Sequence, residues 1–216
     1  MPDLSILGSL PPYHILTYGT LLGSSVFQSF IGGVVAYNCL PRPQFATLQT
    51  AIFPIYFSLQ SACPVLLALT YPGSSASKNS LLGGGGSTAP SGYTGVLASE
   101  NRWSVAAPMA AILAANLLNL VWAGPRTNEI MRLRKHQGIY PAQIFFPPTL
   151  SACRNGVDWK IETRDGKKAY EAPPHSKAMQ KLNKDFSRMH GMSASLNLTA
   201  LAMTVFYGVV LSERIQ

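Results

Sequence analysis

The chain has 216 residues, 47% of them apolar, with 17 Lys and Arg against 9 Asp and Glu, a net charge of +8 and a mean hydropathy of +0.16. Those averages hide an uneven placement of charge: no Asp, Glu, Lys or Arg falls between Asp3 and Arg42, Arg42 and Lys78, Arg102 and Arg126, or Arg188 and Glu213. Each window exceeds the roughly 20 residues a helix needs to cross about 30 Å of hydrocarbon. Helices of water-soluble proteins keep a charged outer face, so the pattern excludes an ordinary soluble domain. It predicts an all-α membrane protein of four transmembrane helices within a single membrane domain, 1–216.

Residues 1–12 carry no basic region and no small-residue cleavage site, and read as a retained tail. The first span is expected over 14–40, ending at Pro41-Arg42-Pro43, and the second over 44–71. So short a link makes them an antiparallel hairpin. Pro54 and Pro64 remove backbone donors inside the second span and should kink it, with Ser58 and Ser61 near enough to satisfy the freed carbonyls. Residues 72–101, with Gly83-Gly84-Gly85-Gly86, read as a flexible link. The third span is expected over 103–123, stopped by Gly124-Pro125, with Pro108 early enough to be harmless.

The segment 124–189 is the substantial polar stretch, a basic loop. Residues 128–137 can continue as a basic helix, and 138–174 read as irregular. From Ser176 to Met189 the pattern becomes periodic: Ala178, Leu182, Phe186 and Met189 share one face, and Lys177, Lys181, Lys184 and Arg188 another. That is the pattern of an amphipathic helix before the last span, lying either in the interface or against the protein's own surface. The fourth span is expected over 190–211.

Four crossings put both termini on one side. The other side holds Arg42 and the thirteen Lys and Arg from Arg126 to Arg188, against Lys78, Arg102 and Arg214. Counting only charges near span ends, the balance is nine to three, which predicts a cytosolic basic loop with lumenal or extracellular termini.

No carboxylate lies within the spans, and no HExxH, GxSxG, phosphate-binding loop or paired-Cys zinc pattern occurs. The expectation is therefore a protein that is not an enzyme, with no cofactor, no metal and no nucleic-acid partner. Cys39, Cys63 and Cys153 suggest no disulfide framework, and Cys39 is either a packed thiol or an acylation site. Met189-His190-Gly191-Met192 offers soft ligands suited to Cu(I), although lone motifs of this kind are generally incidental. The intramembrane polar residues are Gln60, Asn116, Asn119 and Asn197. They read as hydrogen-bonding glue between helices, with the lining of a polar path as the sharper alternative. Asn197-Leu198-Thr199 matches a glycosylation acceptor but falls inside a span. Gly19 and Gly23, and the alanines at Ala106, Ala110 and Ala114, permit close helix approach, within the chain or between copies.

The borders of the spans carry a resemblance. Leu40-Pro41-Arg42 with Phe45, Gln49, Phe53-Pro54 and Tyr56-Phe57 is similar to the transmembrane protein 205 family. So are Asn119, Trp122 and Pro125-Arg126-Thr127, and then Phe186, Arg188, His190-Gly191, Ser193 and Asn197-Leu198; His14, Gly23 and Gly33 fit more loosely. The likeness spans all four expected helices and departs at the glycine-rich link and the middle of the basic loop, both longer here. It implies a small four-span membrane protein and brings no catalytic residues. It directs attention to Arg42, Arg126, Arg188 and His190 at the expected cytosolic border, as contacts for lipid phosphates or partners or as ordinary positive-inside anchors.

The reading is a non-enzymatic scaffold or trafficking component of the endomembrane or plasma-membrane system. Its partners would be the bilayer with its anionic lipids and other membrane proteins, including further copies. The alternative is a small-solute carrier or exporter using the intramembrane amides.

Overall fold

The computed structural model describes residues 8–73, 90–138 and 165–215. The chain is helical, with no strand among the described residues, and four of its helices are long and apolar enough to cross a membrane. In chain order they are α1 (Pro11–Cys39), α2 (Arg42–Leu69), the short α3 (Tyr93–Val96), α4 (Ser99–Gln137) and α5 (Lys177–Ile215). Two compact units result: a membrane unit of residues 1–124 and 192–216, and a polar unit of residues 125–191.

Local chemistry explains the boundaries. Pro11 and Pro12 open α1 where backbone donors are unpaired anyway. Leu40, preceding Pro41, is driven to an extended conformation (φ −105°, ψ 140°), which breaks the helix for two residues before α2 starts. Tyr37 then seals the hairpin: the Arg42 guanidinium lies 3.5 Å from its ring centroid and Phe45 meets it edge-on at 5.4 Å. Early residues of α1 bond to late residues of α2, the antiparallel arrangement the short link demands.

Three differences from the sequence expectations stand out. Pro54 and Pro64 lie inside an uninterrupted α2, and Ser61, near enough to satisfy a freed carbonyl, has a buried hydroxyl with no hydrogen-bond partner among the described residues. Residues 90–101 are ordered: Gly92 takes a positive φ of 74°, its N–H donates to Tyr71 O at 2.7 Å, and Val96 and Asn101 are buried. The remainder of the glycine-rich link, 74–89, lies outside the described residues, as does 139–164 of the basic loop. Finally, Gly124-Pro125 does not end the third helix. A π-helical turn, Asn119–Ala123, precedes it, and the Gly124 N–H reaches Asn119 O. A Cβ on Gly124 would come within 2.7 Å of that oxygen, so glycine lets the widened turn form and carry the helix past the proline to Gln137.

The membrane unit has a thin core in which Leu21, Leu67, Val105, Ile112 and Tyr207 are fully buried. Outside it the molecule is apolar: Phe27, Phe30, Ile55, Val121 and Leu198 are all more than half exposed. Water-soluble monomers do not carry such a surface, so a soluble all-helical core is excluded. Burial is unequal. The most apolar stretch of α1 is 11% buried, against 33–39% for α2, α4 and α5. A methyl group placed on Gly19 or Gly23 would meet nothing within 4 Å, so this small-residue pair does not pack within the described residues.

Candidate functional site: polar tiers in the membrane unit and a basic helix pair

Hydrogen bonds hold α1 to the bundle in three tiers. In the first, His14 of α1 is 1% exposed; its Nδ1 lies 3.1 Å from Thr70 Oγ1 and its Nε2 lies 2.7 Å from the Tyr207 hydroxyl. Tyr71 and Tyr207 each meet the imidazole edge-on, and Tyr18 packs on Tyr207. In the second, Gln60 is 1% exposed: its Nε2 donates to Ser24 Oγ (2.7 Å) and Leu21 O (3.2 Å), and its Oε1 accepts from Ser25 Oγ (3.0 Å). In the third, Asn197 Oδ1 accepts from the Tyr56 hydroxyl (2.8 Å) while its Nδ2 donates to Ser29 Oγ (2.9 Å).

The two asparagines of α4 behave differently. Both are fully buried; Asn119 Nδ2 donates to Ser193 O across to α5 at 3.2 Å, whereas Asn116 Nδ2 bonds back to Ile112 O in its own helix at 2.9 Å. The Oδ1 of each has no hydrogen-bond partner among the described residues. Thus Gln60, Asn119 and Asn197 join helices, and Asn116 does not. Among the described residues a largely apolar groove of about 200 Å³ is lined by Ser24, Phe27, Gln28, Ile52, Ile55 and Tyr56.

The four residues expected at the basic border divide between the units. Arg42 belongs to the membrane unit, exposed and laid over Tyr37. The other three belong to the polar unit. Arg126 pairs with Glu129 one turn away, both side chains substantially exposed. Arg188 is exposed, and His190 is exposed and stacked on Phe186 (5.7 Å, 2° between planes).

Sequence reasoning missed the residues that hold the polar unit together. Arg134 donates from Nε to Asn183 Oδ1 at 2.9 Å and lays its guanidinium 4.2 Å from the Phe186 ring, clamping the end of α4 to the start of α5. Asp165 caps α5: its carboxylate accepts from Ser176 N (3.0 Å) and Gln137 Nε2 (3.2 Å), while Ser176 Oγ accepts from Met179 N (3.1 Å). Burial pushes the Asp165 carboxyl up, but the Ser176 and Gln137 hydrogen bonds and the nearby His175 outweigh it and leave it below the usual carboxylate range. His175 Nδ1, at 3.6 Å from Asp165 Oδ2, is too far for a hydrogen bond and attracts the carboxylate only when protonated. His14 was the other omission: it matched the family resemblance, but a single histidine three residues into a helix gives no sign of partners 56 and 193 positions away.

Ser176 to Met189, expected as a separate amphipathic helix, is the beginning of α5, continuous with the fourth apolar stretch. Its Lys177, Lys181, Lys184 and Arg188 are exposed; Leu182 and Phe186 are half-buried. Among the described residues no group of three or more His, Cys, Asp or Glu converges on a metal position.

Four apolar helices bearing their apolar surface outward, pinned by internal amides, define a multi-pass integral membrane protein. More specifically, the chain belongs to the family defined by the domain of unknown function DUF4149, which matches residues 16–136. It is similar to xanthocillin biosynthesis cluster protein D of Aspergillus fumigatus, 29% identical over 210 residues that cover 97% of this chain and 94% of that one. No solved structure matches it.

Proposed function

We propose that this protein is a non-enzymatic scaffold or trafficking component of the endomembrane or plasma-membrane system, resembling transmembrane protein 205. It would hold anionic lipid headgroups through a basic cytosolic border. The observation that carries the reading is the row Lys177, Lys181, Lys184 and Arg188, spaced along one face of α5 and exposed throughout. Among the described residues no carboxylate pairs with them: the ion pairs there are Arg126–Glu129 and His175–Asp165. By residue count, Arg188 and Lys184 fall within about 10 Å of the point where the apolar part of α5 begins, at 1.5 Å per residue. That is within a Debye length of the phosphates, where each basic residue contributes about 1 kcal/mol toward an anionic surface. The excess of Lys and Arg beside the spans on that side supports its cytosolic orientation.

Native mass spectrometry of the purified protein with phosphatidylserine and phosphatidylcholine tests this. Preferential retention of phosphatidylserine is expected, and it should disappear in a Lys181→Glu, Lys184→Glu, Arg188→Glu variant. Equal retention of the two lipids by the unaltered protein would refute the headgroup role.

A second reading, a carrier or exporter of a small solute, draws on the name of the Aspergillus relative, which ties that protein to a biosynthesis cluster. The unpartnered carbonyls of Asn116 and Asn119 favour it. Gln60 and Asn197 weigh against it, since their amides are already occupied by other helices. Flux into liposomes that vanishes on Asn119→Leu would restore it.

A further inference from the structure

Two acceptors in α4 are left over once the polar tiers are counted. Asn116 and Asn119 are fully buried, and each amide is oriented by a neighbour that can only accept: Asn116 Nδ2 donates to Ile112 O at 2.9 Å, and Asn119 Nδ2 donates to Ser193 O at 3.2 Å. Turning either amide over would set two carbonyl oxygens against each other, so both orientations are fixed. Each Oδ1 is thereby committed to a place where no described group donates to it. Gln60 is the opposite case: Ser25 Oγ donates to its amide oxygen, and the whole amide is satisfied inside the protein. A buried carbonyl without a donor is costly, the more so beside hydrocarbon, where no solvent stands by to supply one.

We propose that Asn116 and Asn119 form a binding site for water inside the membrane unit. Three residues apart, the two side chains leave α4 on one face, with their Cβ atoms about 5–6 Å from each other. One water giving a hydrogen to each Oδ1 spans that gap and meets the pair of polar partners a buried water requires. The chemistry selects the ligand. Carbonyl oxygens repel an anion. A cation would place a charge among apolar stretches that contain no Asp or Glu, with two neutral oxygens to hold it. An uncharged donor leaves no charge to compensate. Asn119 is also the first residue of the π-helical turn Asn119–Ala123, a local widening of the kind that recurs at functional sites. The tiers of α1 pair protein groups with one another, whereas this pair is completed by solvent, which makes the seam between α4 and α5 the hydrated part of the bundle. The site is independent of the basic border and stands whether or not a solute crosses the membrane.

Water-edited solid-state NMR of the full chain in lipid bilayers, with labelled asparagine and glutamine, tests it. Magnetisation from water should reach Cγ of Asn116 and Asn119 well before Cδ of Gln60, an equally buried amide that the protein satisfies by itself. Equal, slow transfer at all three overturns the proposal; it is the result expected if a segment outside the described residues donates to the two carbonyls. Side-chain shifts that move when sodium or potassium is exchanged for choline would reveal a bound cation and overturn it as well. Radiolytic labelling in ¹⁸O-enriched water gives a second measurement. Ile112, fully buried one turn from Asn116, should be oxidised in the natural protein and spared when Asn116→Leu and Asn119→Leu are combined. Labelling that persists in that variant counts against the site. Should the variant fail to assemble, the NMR comparison decides, since it needs no substitution. Asn116→Leu removes an amide oxygen together with its water, so stability is a poor readout of the site and hydration the direct one.

Discussion

Gln60 shows how one side chain can do in lipid what apolar burial does in water. Between helices already surrounded by hydrocarbon, packing apolar surface brings little gain, and hydrogen bonds across the gap specify the pairing. Gln60 spends both ends of its amide on α1, through Ser24, Ser25 and Leu21. Replacing it with Leu should destabilise the fold by about 1–2 kcal/mol, measured by reversible unfolding in mixed micelles. Asn116→Leu is the informative control. Its Nδ2 bond closes on its own helix and its Oδ1 has no partner among the described residues, so the change should be close to neutral. Equal losses at the two positions would show that helix contact, not the interhelical bond, sets the cost. That these residues are amides inside spans was readable from the sequence; which of them reaches another helix was not, because the partners are hydroxyls and carbonyls 35 to 168 residues away.

At the scale of an element, α4 corrects a simple rule. A Gly-Pro pair normally ends a helix, and the end was expected there, but the π-turn at Asn119–Ala123 shifts the register and removes the conflict. Only glycine fits at 124, so Gly124→Ala should force the Asn119 carbonyl aside and cost about 1–3 kcal/mol, an overpacking penalty. Gly19→Ala, facing open space, should be neutral or slightly stabilising through helix propensity. Thermal unfolding of the two variants side by side measures the contrast. The start of α5 carries a pH signature. Because Asp165 is held below the ordinary carboxylate range, its contribution to capping is complete above about pH 4. It is lost as the pH falls through the lower folded value. Exchange of the first-turn amides of α5 should accelerate over that acidic interval, and Asp165→Asn should remove the pH dependence. Neither the π-turn nor this cap has a period or a motif: the first depends on backbone hydrogen bonds, the second on a carboxylate eleven residues before Ser176, the residue that precedes the helix.

For the molecule as a whole, the four charge-free windows already contained the architecture, because the bilayer imposes a length on every crossing. The four apolar helices fall on those windows in order; α1 and α2 end within three residues of the expected bounds, while α4 and α5 extend well past their apolar stretches. α4 and α5 reach 39 residues each, about 58 Å at 1.5 Å per residue, roughly twice the hydrocarbon thickness. The expectation of four crossings has a direct biochemical counterpart. Protease added to sealed microsomes should cut within 139–164 and spare tags at both termini, with permeabilisation exposing the tags. Cleavage of a terminal tag in intact vesicles would reverse the sidedness or change the number of crossings.

Trp103 and Trp122, both at least half exposed, bracket the apolar part of α4. Indole rings prefer the zone between acyl chains and headgroups, and nineteen residues of helix hold this pair about 28 Å apart. That spacing is close to the roughly 30 Å of a bilayer's hydrocarbon core. The two tryptophans therefore bracket one crossing's worth of helix, and the remainder of α4 is surplus to it.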